Sequence, residues 1–161
     1  MGSLPALLTI LFAVAGAVVM VVLGLRFSGE RPRSTRELVI PPALAFVVVA
    51  PVVYRSAVES AGDAPLMIGV VVGAVIGVWR GRELTPIGVP RGSSSIIVGG
   101  DRWGAFALAG TLLLEGVVAT AAGVDSIGPL VGLVGAAAGQ LIGWYVGVYG
   151  RARAERVAPA P

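Results

Sequence analysis

Polar residues divide the chain into five apolar runs. They are Leu4 to Leu25, Leu38 to Tyr54, Ala64 to Trp79, Trp103 to Ala122 and Ile127 to Tyr149. The first holds no charge, and the fourth holds one acid, Glu115. Each run is roughly 16 to 23 residues, and a helix that crosses a bilayer needs roughly 17 to 25. The second and third are at the short limit, so their ends are expected to extend into flanking residues. The pattern predicts an all-α membrane protein, a bundle of five transmembrane helices. It forms one domain over 1–150, followed by a short basic, Pro/Ala-rich tail over 151–161.

Arginine positions orient the bundle. Arg26, Arg31, Arg33 and Arg36 separate the first two runs, and Arg80, Arg82, Arg91 and Arg102 separate the third and fourth. Arg151, Arg153 and Arg156 follow the fifth, and only Arg55 falls in the remaining connections. Eleven of the twelve arginines therefore lie on one side of a five-span arrangement. Arginine is retained on the cytoplasmic side, which predicts an inner-membrane protein with its N-terminus outside and its C-terminus in the cytoplasm. A cleaved signal peptide is the alternative for the first run. "MGSLPALLTILF" lacks the basic start of a signal peptide, and the apolar run is too long for one.

Composition agrees with the pattern. Of 161 residues, 56% are hydrophobic and 13% charged, with a mean hydropathy of +0.90. Soluble domains carry about a quarter charged residues. There is no cysteine and no histidine. These absences remove disulfide exchange, thiolate metal sites, C-x-x-C-H haem attachment and the commonest near-neutral base. No cofactor is expected, and the chain reads as a non-enzyme.

The prolines mark borders. Pro41 and Pro42 fall in the first turn of the second span, where a missing N–H costs nothing. Pro51 falls nearer the far end, where it is expected to bend or loosen the helix. The longest connection, 80–102, holds "VPRG", a good type I turn with Pro90 second and Gly92 fourth. "LTPIGV" before it and "SSSIIV" after it have the composition of a short β-hairpin, while Pro86 favours an irregular loop.

The order of these features resembles the CcdC-like family of small bacterial membrane proteins. "RPRSTRELVIPP" (Arg31 to Pro42) and "RGRELTPIGVPRGSSSIIV" (Arg80 to Val98) carry the resemblance. It implies an accessory role near cytochrome c maturation and brings no catalytic residue.

Three features carry candidate function. Glu115 within a span must be neutral, paired or wet, so it faces the bundle interior. It is either a proton or cation site or a structural acid, with Arg55 within reach as a partner. Gly69, Gly73, Gly77 and Gly81 form one stripe of small residues, and Gly135, Gly139, Gly143 and Gly147 form another. Such stripes let helix backbones approach closely, within one chain or between copies in a homo-oligomer. Gln140 beside the second stripe reads as a helix-to-helix hydrogen bond or a substrate ligand. Trp103, Trp144 and Tyr149 read as interfacial anchors. The expected partners are the lipid bilayer and other membrane proteins. Nucleic acid is not expected, because topology accounts for the arginines. The reading is an accessory or scaffold protein, and the alternative is a small transporter or channel built on Glu115.

Overall fold

The computed structural model describes residues 3–34, 36–58, 63–88, 95–121 and 128–157. Five helices carry the fold: α1 (Ser3–Arg26), α2 (Ile40–Val58), α3 (Asp63–Trp79), α4 (Arg102–Ala121) and α5 (Gly128–Val157). All five are long and apolar enough to cross a membrane. The chain is a multi-pass helical bundle, with two short strands, β1 (Arg31–Ser34) and β2 (Ser95–Val98), at one end.

The two short spans lengthen as expected. A 3-10 turn, Glu37–Val39, leads into α2, and a π-type turn, Arg80–Leu84, continues α3. Pro41 is buried in the first turn of α2. Helix α2 continues without a break past Pro51 to Val58. The difference is at α5. Its 30 residues carry helix into the segment that reads as a tail. At ~1.5 Å per residue they span ~45 Å, well beyond a ~30 Å hydrocarbon core.

Helices α3 and α5 pack backbone to backbone. A Cβ on Gly69, Gly73, Gly77 or Gly81 would overlap the carbonyl oxygen of Gly132, Ala136, Gln140 or Trp144 respectively. In return, Gly135, Gly139, Gly143 and Gly147 sit against the carbonyls of Leu66, Val70, Ala74 and Val78. The residue offset is the same at every level of each series, which only a parallel pair gives. Both glycine stripes are therefore consumed within one chain, and they face each other. Glycine is required here because any side chain would occupy the space of a backbone oxygen. Close approach also brings Cα–H groups toward those oxygens, a weak favourable contact.

Helices α1 and α4 pair in the opposite sense. Gly24 lies against Ala105 and Phe106, Gly16 against Leu112 and Val48, and Gly116 against Ala13. Numbers that rise on one helix fall on the other, so this pair is antiparallel. Val48 belongs to α2, which touches α1 here and packs more extensively against α5. Met20, Leu108, Leu112 and Leu141 are fully buried between the two pairs.

Among the described residues, the expected hairpin within 80–102 shows as one bridge, Gly88 to Ile97, with hydrogen bonds of 2.7 and 2.9 Å. The regular ladder of β2 is antiparallel with β1, from the other arginine-rich connection, in the register Arg31–Val98 to Ser34–Ser95. The "VPRG" turn lies outside the described residues. Pro32 stands opposite Ile97, whose own N–H and C=O are already taken by Gly88. The missing N–H of Pro32 therefore costs no ladder bond, and β1 tolerates a proline.

Candidate functional site

The two arginine-rich connections and the last turns of α5 meet at one end of the bundle and fold there into a cap. Each joint has a local cause. Ser34 and Glu37 form a reciprocal capping box: each backbone N–H donates to the other's side chain at 3.3 Å. This fixes the chain as it enters the 3-10 turn before α2. Asp101 caps α4. Its Oδ1 accepts the N–H of Gly104 at 3.0 Å, and its carboxylate receives the fork of Arg80 at 3.4 Å. The end of α3 is thereby tied to the start of α4. Gly100 donates to the carbonyl of Phe27 at 2.6 Å, tying the start of α4 to the end of α1 as well. A Cβ at Gly100 would collide with Phe27.

Helix α5 finishes α3. The Trp144 indole N–H donates to Thr85 Oγ1 at 2.8 Å, and Thr85 in turn donates to the Arg80 carbonyl at 3.0 Å. Arg151 donates to the carbonyls of Arg82 and Thr85, both at 3.0 Å, and pairs with Glu155 at 3.1 Å. The carbonyls released by the π-type turn are thus satisfied from a neighbouring helix. Trp144 is not the interfacial anchor its position suggests. It is 4% exposed and packs edge-on against Tyr145, because the connection after α3 folds over it. Trp103 and Tyr149 are exposed, as anchors should be.

Arg33 is the buried cation of the cap, 7% exposed. Its guanidinium donates to the carbonyls of Val98 (3.3 Å) and Gly29 (3.1 Å) and lies 4.4 Å from the Phe27 ring centroid. Burial pulls its pKa below the ordinary arginine value, while nearby Tyr145 and Glu37 push the other way. Other arginines stay outside: Arg26, Arg31, Arg36, Arg82, Arg102 and Arg153 are exposed around this end.

The intramembrane candidates are dispersed. Glu115 is 2% exposed and continues the buried face of α4 that Leu108 and Leu112 begin. The side chain of Arg55 lies outside the described residues. What Gln140 gives α3 is its backbone carbonyl, against Gly77. Its side-chain amide forms no hydrogen bond to another described residue, so the expected helix-to-helix bond is replaced by this backbone contact. Gly104 faces Leu141, which sets the start of α4 level with Gln140. Glu115 lies roughly three turns further along, ~16 Å at 1.5 Å per residue, so the two polar groups do not meet.

Among the described residues, the buried polar or charged side chains are Arg33, Asp101 and Glu115. No group of three metal-ligating side chains occurs among them. Sequence reading overlooked Asp101 and the Ser34–Glu37 box, although both leave local signals: an aspartate directly before an apolar run, and S-x-x-E. It also overlooked Arg33, which no local pattern separates from its exposed neighbours. Comparison with protein-family models, curated proteins and solved structures finds no match for this chain.

Proposed function

We propose that this is a non-enzymatic scaffold of the inner membrane that presents its folded cap to the cytoplasm. The observation that carries the reading is the contrast between the two parts. The helices close on one another through glycine and backbone, with Glu115 the one buried carboxyl group among the described residues of the spans. The polar bonding is invested in the cap, where three separated stretches of chain are held by side-chain contacts. A transporter needs a polar path across the bundle, and Glu115 and Gln140 lie at different depths. Placing the cap in the cytoplasm follows from its arginines. A setting in cytochrome c maturation rests on the resemblance of two motifs to CcdC-like proteins.

Gentle solubilisation of native membranes, followed by identification of co-purifying proteins, tests the scaffold. Capture of a stable partner whose retention falls when Asp101→Ala loosens the cap is the expected result. Proton or cation flux in proteoliposomes that Glu115→Gln abolishes would overturn it in favour of a transporter.

A further inference from the structure

A cleft of about 300 Å³ opens in the cap between the ends of α1 and α3 and the start of α4. Its volume is at the small end for ligand sites, which run from ~300 to 1,000 Å³. Its walls include Glu30, Arg80, Asp101, Arg102, Trp103 and Trp144. Asp101 is already committed: its side chain is 2% exposed and holds both Gly104 and Arg80. The Arg80 side chain is 27% exposed and lines the cleft, with both terminal nitrogens on the Asp101 carboxylate. Arg102 is exposed and rests its guanidinium over Trp103, 5.4 Å from the ring centroid. Glu30 is exposed too, and its stem lies against Gly99. Among the described residues, no ion pair engages Arg102 or Glu30.

One cleft therefore offers an available cation and an available anion. It lies at the ends of three candidate spans, with exposed Trp103 in its wall and exposed Trp79 next to Arg80 in the chain. Tryptophan at span ends marks the headgroup region. We propose that the cleft binds a phosphoethanolamine headgroup of a membrane phospholipid. Its phosphate accepts from Arg102, with the Arg80 charge in the same wall, and its primary ammonium donates to Glu30. Charge and hydrogen bonding together select this headgroup. A phosphoglycerol group supplies the phosphate but brings a neutral hydroxyl to Glu30. A phosphocholine group carries the cation but has no N–H to donate. The proposal is independent of the scaffold reading.

The test uses the purified full chain in detergent with added dioleoyl phosphatidylethanolamine, phosphatidylglycerol or phosphatidylcholine, read by native mass spectrometry. Preferential retention of phosphatidylethanolamine is expected. Arg102→Gln and Glu30→Gln should each weaken it by roughly tenfold, the ratio for one lost charged contact of ~1.4 kcal/mol. Arg153→Gln, which removes the same charge away from the cleft, should not. Soluble phosphoethanolamine should compete, which separates headgroup recognition from acyl-chain contact. Equal retention of the three lipids, preference for phosphatidylglycerol, or undiminished binding by correctly folded Arg102→Gln would overturn the proposal.

Discussion

A leucine at Gly73 or Gly139 would be driven into a backbone carbonyl, of Ala136 or Val70, that cannot rotate away. Overpacking costs ~1–3 kcal/mol even where side chains can shift, so each change should lower the unfolding midpoint in detergent, and Gly73→Ala should lower it too. Gly110 supplies the contrast, since nothing lies within 4 Å of an added Cβ. There alanine removes a glycine from a helix interior and should be neutral or stabilising by up to ~1 kcal/mol. Equal effects at Gly73 and Gly110 would show that helix propensity, not close approach, decides these sites. Glu115 poses a different question, because its burial requires that it be neutral or paired. If Arg55 is its partner, a double-mutant cycle with Glu115→Gln and Arg55→Gln should give a coupling of about 0.5–3 kcal/mol. A coupling near zero would leave the protonated and ion-binding readings, which the flux assay separates.

Helix ends carry the next level of stability. Asp101→Ala removes the cap of α4, at a cost of ~0.5–2 kcal/mol, and also leaves Arg80 without its carboxylate. Asp101→Asn keeps an acceptor for Gly104 and loses only the charge. Alanine should therefore destabilise more than asparagine in chemical unfolding, and the reverse order would remove the capping role. Arg151 acts on α3 from α5. Arg151→Ala should cost about 1–2 kcal/mol, the scale of a charged donor to carbonyls that are partly exposed. Arg151→Lys should recover part of that loss, because one ammonium cannot hold both carbonyls as the planar fork does. Both substitutions should also loosen the connection after α3, seen as faster amide exchange at Thr85.

At the scale of the whole molecule, the parallel α3–α5 pair and the antiparallel α1–α4 pair bring three arginine-bearing stretches to one end. Topology can be read with single cysteines, since the chain has none of its own. Cysteines at Ser34, Ser94 and Ala158 should be shielded from an impermeant thiol reagent in intact cells, and one at Ser60 should react. Labelling of Ser34 and Ser94 from outside would invert the orientation. Folding of the cap should also depend on the glycine seam. Gly139→Leu shifts α5 against α3, and with it the register of Trp144 and Arg151 beneath the connection after α3. It should therefore raise proteolysis between Arg80 and Arg102, a region that a purely local defect would leave untouched.

The sequence by itself determined the helices, their number and their approximate ends, because a bilayer requires about twenty apolar residues per crossing whatever the neighbours are. It also determined the two glycine stripes, since a spacing of four places residues on one helix face. Tertiary structure decided what each stripe meets: the constant offset between α3 and α5 arises from two backbones in contact, which no single helix encodes. The strand pairing was decided the same way. β2 had a local candidate in "LTPIGV" and took most of its ladder from β1, far away in sequence, because the bundle carries both connections to the same end. The burial of Trp144 and Arg33 followed from that assembly. A tryptophan near a span end and an arginine in a basic connection look like surface residues until another stretch of chain folds over them.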